Sequence, residues 1–436
     1  MEIMTLVAIT LVLLVFLLTM GVPLPFCFGG ALMFMNLVGG ESMKGLTYWG
    51  LNQITNPVIL CVPLFIFAGS LMSASGIAKS LLDFVNVFVG RVKGGLGVVA
   101  AVSCAIIGAI SGSGFTGVAA TGPILIPRME QEGYPRGYAT ALVTDSSILG
   151  LLIPPSVTMI IYGWVTETSI LACFLSTVGP GILVTILFSV INLVWARKFP
   201  LVLEPEVHGK ERFKLFLDRG GKALPALAMP FIILGGIYGG ICTPTEAAAV
   251  AAVYAIPVGF WVYKGLDRKS FFHITKEAGT AVGSIMVMIL FCLMLSQVLV
   301  LEQVPQAIVK TMFGVTQNKT LLLILINLLL FVVGMIVNDL TGIILTAPLL
   351  LPLVVALGVH PIHFGAIIGV NLAMGGVTPP YASILYLGMR VGKVEFMDIL
   401  RPAMTFIILG YVPVVFLTTF WPDLSMWLPR IMGFVR

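Results

Sequence analysis

Long apolar runs that carry almost no charge constrain this sequence more than any other feature. Of its 436 residues, 58% are hydrophobic and only 10% are charged, whereas a soluble domain has about 25% charged residues. A water-soluble core cannot hide so much apolar surface, so the chain is predicted to be an all-α integral membrane protein with lipid as its solvent. The runs are residues 3–20, 24–38, 56–75, 95–127, 139–163, 170–196, 223–263, 279–301, 320–358, 363–389 and 402–421.

The first run is predicted to be a retained span and not a signal peptide. Residues 4–20 hold no charge, and the first basic residue of the chain is Lys44. A signal peptide would have a basic start and a cleavage site of small residues. The net charge of +5 does not indicate nucleic-acid binding, because the basic residues lie in short connections.

Three of the runs are long enough for two passes, and each is interrupted in its middle. The interruptions are Ser111 to Gly114, Thr243 to Thr245 and Asn338 to Thr341. If each double run returns the chain to the side it left, and the N-terminus lies outside, then 19 of the 24 basic residues fall inside. The positive-inside rule therefore supports this topology. The predicted inside segments are 76–94, 128–138, 197–222, 264–278 and 390–401.

An internal repeat relates two of these regions. Residues 116–163 align without a gap on residues 341–388, with 12 identities in 48 positions, mostly Gly, Pro and Thr. By the predicted topology the two copies start on opposite sides of the membrane, so the repeat is inverted. Inverted repeats with interrupted helices are typical of secondary transporters, whose binding site lies near the midplane. A duplicated scaffold that has lost transport is the alternative.

The interruptions hold the residues that we expect to bind ligands. A chain that turns inside the membrane frees backbone and hydroxyl oxygens, which suit a small cation. An Asp at this depth costs about 2.5–3.5 kcal/mol, which makes it a functional candidate. The alternative is a tip that simply reaches solvent. The candidates in the two breaks are Ser111, Gly112, Ser113, Gly114, Thr116, Asn338, Asp339 and Thr341.

Each repeat also contains a second helix that proline is predicted to break, because proline lacks the N–H donor and clashes with the preceding turn. A hairpin tip that faces such an unwound segment would form an oxygen-lined pocket, and the repeat predicts two of them. The candidates are Gly150, Pro154, Pro155, Ser156, Gly375, Gly376, Thr378 and Pro379, followed by Pro380. Asp145 is a weaker candidate, for which a polar contact between helices is an equal alternative.

Other motifs favour structural roles. The six cysteines are single and lack metal-ligand spacing, so we interpret them as packing residues. His360 and His363 could pair on a metal, but a loop at the membrane edge is favoured. Thr243 or Thr245 is expected to cap a helix with Glu246 in its first turn. The sequence has no Walker A motif, so ATP-driven transport by this chain alone is not expected.

Taken together, these motifs resemble the large membrane subunit of tripartite ATP-independent periplasmic (TRAP) transporters. The resemblance rests on Gly108 to Gly114, Thr121-Gly122-Pro123, Ile153 to Ser156, Gly240 to Ala249, and Asn338-Asp339 with Thr378-Pro379-Pro380, and covers essentially the whole chain. It implies an elevator-type fold in which two re-entrant helical hairpins and two broken helices move against a scaffold. It also implies sodium-driven uptake of an organic acid, of the C4-dicarboxylate or sialic acid type.

The resemblance implies partners and ion sites as well. A soluble periplasmic binding protein would deliver the substrate, and a small four-helix membrane subunit, expected as a separate chain, would complete the scaffold in the bacterial inner membrane. Sodium is the expected coupling ion, with no organic cofactor. The implied sodium ligands are Ser111, Ser113, Asn338, Asp339 and Thr378.

The chain is therefore divided into scaffold and transport parts. We expect scaffold helices in 1–75 and 166–278, the two repeats of the transport domain in 76–165 and 279–390, and a final scaffold helix with a tail in 391–436. A stand-alone ion-coupled carboxylate carrier is one alternative. An intramembrane enzyme is the other alternative, but the sequence offers neither a nucleophile–base pair nor a set of metal ligands at membrane depth.

Overall fold

The computed structural model describes residues 3–39, 43–89, 92–202, 210–379 and 382–435, and within these ranges it contains helices and no β-strand. Eight helices there are long and apolar enough to cross a bilayer, or nine if the bent pair Cys61–Ala74 and Ile77–Phe88 is one span. The all-α membrane fold is thus confirmed, while the re-entrant character of the hairpins stays a prediction.

The N-terminal region forms five helices. Its first turn falls at Gly21, whose φ of 80° is in the left-handed region that glycine tolerates best. The helices are α1 Ile3–Thr19, α2 Leu24–Gly39, α3 Met43–Ile54, α4 Cys61–Ala74 and α5 Ile77–Val89. Helix α3 lies in a segment that the sequence assigned to a connection.

The first repeat consists of a helical pair followed by an interrupted helix. The pair separates at the predicted break, and the interruption spans residues 153–156, which include Pro154 and Pro155. Proline ends the helix there because it cannot donate a backbone hydrogen bond. The helices are α6 Gly95–Ser111, α7 Gly114–Gln131, α8 Arg136–Ser147, α9 Leu149–Leu152 and α10 Val157–Val165.

Four helices connect the two repeats: α11 Ile170–Ala196, α12 Lys210–Tyr238, α13 Pro244–Pro257 and α14 Arg268–Leu301. Thr243 caps α13 in a capping box with Glu246, as predicted. Thr245 instead donates its hydroxyl hydrogen to the carbonyl of Pro57 at 2.9 Å. A π-helical turn, Val258–Val262, continues α13.

The second repeat follows the pattern of the first. Its hairpin helices separate between Ile336 and Asp339, and its next long helix ends at Val377, just before the predicted proline break. Pro380 lies outside the described residues. The helices of this half are α15 Val304–Val315, α16 Lys319–Ile336, α17 Asp339–Ala356, α18 Pro361–Val377 and α19 Ser383–Gly392.

The C-terminal region contains α20 Phe396–Phe406, a π-helical turn Ile407–Tyr411, α21 Val412–Phe420 and α22 Asp423–Ile431. Here Phe188 of α11 packs between Phe406 and Tyr411, with ring centroids 5.1 Å from each. These aromatic contacts join the C-terminal helices to α11.

Buried apolar side chains form two large clusters. The larger one draws mostly on α1–α4, α10 and α12–α18. The second joins α6–α9 and α11 to α18, α20 and α21. Helix α18 contributes to both, so it links the two cores, and α6–α9 of the first repeat share a core with the C-terminal helices.

Candidate functional site

The first break is a two-residue connection that brings the ends of α6 and α7 together. Gly112 has a φ of 62°, and its N–H donates to the carbonyl of Gly108 at 2.7 Å. A Cβ at Gly112 would lie 2.9 Å from the carbonyl oxygen of Pro155. Glycine is therefore required by both conformation and space, and the break lies directly against the interrupted helix.

Close glycine crossings hold each break in place. A Cβ on Gly108 would lie 2.5 Å from the backbone nitrogen of Gly150, and a Cβ on Gly150 would lie 3.1 Å from the carbonyl oxygen of Ser113. In the second repeat, a Cβ on Gly375 would lie 2.6 Å from the Cα of Gly334. Glycines permit these backbone approaches, which place the interrupted helices beside the hairpins.

Asn338 caps α17 at the second break. Its Oδ1 accepts hydrogen bonds from the N–H of Thr341 at 3.0 Å and from the Thr341 hydroxyl at 2.6 Å. An Asn at this position satisfies backbone donors that the first helical turn leaves free. The side chains of Asn338 and Thr341 therefore have a structural role in shaping the break.

Asp339 connects the two repeats. Its Oδ2 accepts a hydrogen bond of 3.0 Å from the hydroxyl of Thr158, which lies at the start of α10 in the first repeat. Thr158 is buried and was not among the predicted site residues. In the sequence, Thr158 is marked only by a hydroxyl two residues after Ser156. That position indicates a functional role only once its hydrogen-bond partner, Asp339, is known.

Both breaks open into one space, which we call the central cavity. It has a volume of about 400 Å³, within the range of roughly 300–1,000 Å³ for small-molecule sites. Among the described residues that line it, Asp339 is the only ionisable one. The lining is Ile66, Ser70, Gly112, Ser113, Phe115, Thr116, Val157, Ala281, Ile285, Asn338, Asp339 and Leu340.

Three helix N-termini meet at the central cavity. Ser113 is the N-cap of α7, Asn338 is the N-cap of α17, and Val157 is the first residue of α10. The N-terminus of a helix carries a partial positive charge and free N–H groups, which favour an anion. The Ser113 hydroxyl makes no hydrogen bond within the described part of the chain, so its oxygen is available to a ligand.

Some predicted site residues point elsewhere. The hydroxyl of Ser111 donates to the carbonyl of Ile107 at 3.1 Å, and that of Thr378 donates to Met374 at 2.7 Å. Neither residue lines the central cavity. Of the five predicted sodium ligands, Ser113, Asn338 and Asp339 therefore line one cavity, and the prediction of two pockets stays a prediction.

The remaining predicted residues form the walls behind the cavity. Ser156 is buried and donates its hydroxyl hydrogen to the carbonyl of Leu151 at 2.7 Å. Gly376 faces the side chain of Ile384, and Pro379 is the last residue before the gap in the described chain. Gly114, Gly150, Pro154, Pro155 and Gly375 shape the backbone there, whereas Gly112 and Thr116 line the cavity itself.

A second space, the adjoining cavity, lies beside the central one. Its volume is about 390 Å³, and the two cavities share Ser70, Phe115, Thr116 and Ala281. Glu277 of α14 is the ionisable residue that lines it. The shared lining makes the adjoining cavity an approach to the central cavity from the side of Glu277.

The histidine pair is engaged in local contacts. His360 caps α18 by accepting from the N–H of Ile362 at 3.2 Å, and His363 Nε2 lies 2.6 Å from the carbonyl oxygen of Thr418. Within the described ranges no three His, Cys, Asp or Glu residues gather as metal ligands would. The geometry therefore favours the structural interpretation of both histidines.

Comparison with known proteins identifies a family model and two similar proteins that match most of the chain. The sequence model described as "Tripartite ATP-independent periplasmic transporter, DctM component" matches residues 11–424. The C4-dicarboxylate TRAP transporter large permease protein DctM of Pseudomonas aeruginosa is 34% identical over 397 residues, covering 91% of this chain and 92% of the relative. The sialic acid TRAP transporter large permease protein SiaM of Vibrio cholerae is 33% identical over 401 residues, covering 92% and 93%.

A solved structure matches the fold. The YdaH transporter of Alcanivorax borkumensis aligns with a TM-score of 0.60 at 14% identity, covering 88% of this chain and 91% of that one. At this identity the likeness concerns fold alone, and it agrees with the multi-helical membrane architecture described above.

Proposed function

Because the chain belongs to the DctM family, the large permease component of tripartite ATP-independent periplasmic transporters, we propose that it imports an organic acid by sodium-coupled, elevator-type transport. The family resemblance predicted from the sequence is confirmed. The chain is a multi-pass transporter permease and not an enzyme, and its family implies a small membrane subunit and a periplasmic binding protein as partners. The stand-alone carrier is set aside, because this family is tripartite.

The composition of the central cavity carries the proposal. Three helix N-termini favour an anion, yet among the described residues no basic side chain lines the cavity and Asp339, an acid, is the only ionisable one that does. An anionic substrate there would face a carboxylate without a countercharge. A cation bound beside Asp339 resolves this conflict, and this requirement is the physical reason to couple uptake of an acid to sodium.

We assign the sodium ions to the oxygen atoms of the two breaks. Ser113 offers a hydroxyl that makes no cap hydrogen bond to α7, and Asp339 offers a carboxylate that Thr158 holds in place. The side-chain oxygen of Asn338 accepts two cap hydrogen bonds, which use both of its lone pairs, so we propose that Asn338 shapes the break beside the ion. Ser111 and Thr378 donate their hydroxyl hydrogens to backbone carbonyls, so their proposed role is to position the breaks or to offer carbonyl oxygens.

The packing suggests which helices move together. Helices α6–α9 share a buried core with α11, α18, α20 and α21. We propose that α11 and α20–α21 travel with the two repeats as one transport domain. This differs from the sequence-based division, which placed 391–436 and all of 166–278 in the scaffold.

We infer that the structure represents a state open to the cytoplasm. The adjoining cavity leads from the central cavity to Glu277, which lies in α14 nine residues after its start at Arg268. By the charge distribution, 264–278 is a cytoplasmic segment. The same topology places the N-terminus in the periplasm and the chain in the bacterial inner membrane, beside a separate small subunit that we propose to have four helices.

The substrate is proposed as a class. The two relatives are named for a C4-dicarboxylate and for sialic acid at nearly equal identity, so sequence similarity does not choose between them. Both are carboxylates, which is the chemistry that the helix N-termini of the central cavity would recognise.

Uptake into proteoliposomes tests the proposal. The large permease is reconstituted with its small subunit and binding protein, and uptake of C4-dicarboxylates and sialic acid is measured with sodium or choline outside. Two sodium ions entering with a monovalent anion would supply roughly 5 kcal/mol at 100 mV and a tenfold sodium gradient, enough for more than three decades of accumulation. For a monovalent anion we expect electrogenic uptake, and for either substrate a sodium Hill coefficient above one. Full uptake in choline would exclude sodium coupling.

A pair of serine variants locates the ion. Ser113→Ala should weaken the apparent sodium affinity, because it removes a free hydroxyl from the central cavity. Ser70→Ala is the matched control, since Ser70 lines the same cavity but donates its hydroxyl hydrogen to Ile66 at 2.8 Å. A sodium affinity in Ser113→Ala equal to that of wild type would show that the Ser113 side chain is not a ligand.

A further inference from the structure

Helix α8 is polar and yet buried on every side. Ten consecutive residues, Tyr138 to Ser147, are all buried, and five of them carry hydroxyl or carboxyl groups besides the ring hydroxyl of Tyr138. Helices α6, α7, α11, α19 and α20 surround it. A helix with this composition is expected at a surface, so its burial needs a chemical reason.

Asp145 is the residue on this helix that is least compatible with complete burial. Its side chain has no solvent exposure, and neither carboxyl oxygen has a hydrogen-bond partner among the described residues. The hydroxyl oxygens of its neighbours Thr144 and Ser146 are also buried without partners. Asp145 lines neither the central cavity nor the adjoining cavity.

In the part of the chain that the structure describes, no positive charge faces this carboxyl. From the π-helical turn, Tyr411 donates its hydroxyl hydrogen to the backbone carbonyl of Asp145 at 3.1 Å. From α6, the Cys104 sulfur lies 3.7 Å from the carbonyl oxygen of Val143. The charged side chains on α8 and the surrounding helices are ion-paired or exposed near helix ends: Arg128 with Asp83, Arg136 with Glu130, Arg390, Asp398 and Arg401. The remaining titratable side chains there, Tyr138, Cys173 and Tyr386, cannot supply a positive charge.

We propose that Asp145 is a proton-binding site of the transport domain, separate from the sodium site. An isolated carboxylate in an apolar surrounding is so unfavourable that the group takes up a proton instead. The carboxylic acid that results is neutral and can share its hydrogen with the flanking hydroxyls. The π-helical turn that presses Tyr411 against α8 is a type of irregularity that is frequent at functional sites. A local opening of α8 from this turn, within the transport domain, would wet Asp145 and release the proton.

Infrared spectroscopy of the reconstituted permease with its small subunit tests the protonation directly. At neutral pH we expect a C=O band of a protonated carboxylic acid that shifts in D₂O, disappears in Asp145→Asn and persists in Asp398→Asn. Asp398 is the matched control, because it is an exposed aspartate on the neighbouring helix α20. An unchanged spectrum in Asp145→Asn would overturn the proposal.

The effect of sodium on this infrared band is the second part of the test. Adding sodium chloride at constant pH should leave the band of Asp145 in place, whereas its loss would show that sodium neutralises this carboxyl and that the proton assignment is wrong. If Asp145→Asn does not fold, ¹³C-aspartate labelling of the Asp339→Asn chain serves instead. In the labelled Asp339→Asn protein, a protonated-acid band that shifts with the ¹³C label supports the proposal. The absence of such a band overturns the proposal.

The consequence for transport is a pH dependence that is independent of sodium. Wild-type uptake should decline as the pH rises through the point at which the Asp145 band disappears, while Asp145→Asn gives a flat profile over that interval and keeps its sodium Hill coefficient. The same pH profile in both proteins would contradict the role in transport. Failure of sodium dependence in wild type would instead contradict the proposed function.

Discussion

The glycine crossing behind the second break gives the sharpest test of the structure. In Gly375→Ala, the new Cβ would lie 2.6 Å from the Cα of Gly334 and 2.8 Å from the backbone nitrogen of Met335. Both neighbours are backbone atoms, which cannot rotate away as the end of a side chain can. Helix α16 or α18 must therefore shift.

The expected change in stability of Gly375→Ala follows from two opposed effects. Overpacking a closed core costs about 1–3 kcal/mol. Replacing a glycine inside a helix by alanine recovers about 1 kcal/mol. We therefore expect Gly375→Ala to lose up to about 2 kcal/mol of stability relative to wild type, a factor of up to about 30 in the folded-to-unfolded ratio, and to be about 1–3 kcal/mol less stable than a glycine-to-alanine change without the clash.

The neighbouring glycine is the matched control. A Cβ on Gly376 would meet only the Cδ1 of Ile384, at an ordinary 3.6 Å. Gly376→Ala should thus be neutral or slightly stabilising, through helix propensity alone. The measurement is the midpoint of heat-induced loss of monodisperse protein in detergent, for wild type and both variants. Equal midpoints for Gly375→Ala and Gly376→Ala would refute the close crossing of α16 and α18.

Three further predictions concern the site and the topology. Thr158→Val removes a hydrogen bond to the Asp339 carboxylate that is worth about 1.5–3 kcal/mol. A double-mutant cycle on stability that combines Thr158→Val with Asp339→Asn should therefore show non-additive effects. Additive effects would mean that this hydrogen bond does not form. Asn338→Ala should cost about 1 kcal/mol of stability through loss of the cap, while Asn338→Asp keeps it, and equal thermal midpoints for the two variants would contradict the capping role. With a thiol reagent that does not cross the membrane, Lys319→Cys should be labelled from the outside and Lys198→Cys spared, whereas labelling of both from one face would break the predicted topology.

The sequence predicts the positions of both breaks because the signals are local. A Gly-rich turn at Ser111 to Gly114 and an Asn N-cap at Asn338 determine the backbone within a few residues, and the helices end and begin there. The Thr243 cap was predicted for the same reason. Short helices such as α3 and α15 were missed, because their segments were judged by charge and length and not by periodicity.

Contacts across the repeats could not be predicted in this way. The hydrogen bond between Thr158 and Asp339 joins residues that are 181 positions apart. Whether the two breaks form two pockets or one depends on how the repeats pack, and no spacing along the chain determines that. The complete burial of Asp145 has the same origin, since it requires five neighbouring helices to close around α8.

The two halves of the site are alike in backbone and unlike in side-chain chemistry, and this difference assigns their roles. Each break ends one helix and begins another whose N-terminus meets the central cavity. At the first break the Ser113 hydroxyl makes no cap bond, whereas at the second the Asn338 amide is bound to Thr341 and the carboxylate of Asp339 to Thr158. The second break is therefore held rigid by side chains, while the first has a free ligand atom. In the proposed mechanism, a sodium ion bound between the two breaks would take the Ser113 oxygen as a ligand and tie the first break to the second, which would close the cavity over its substrate.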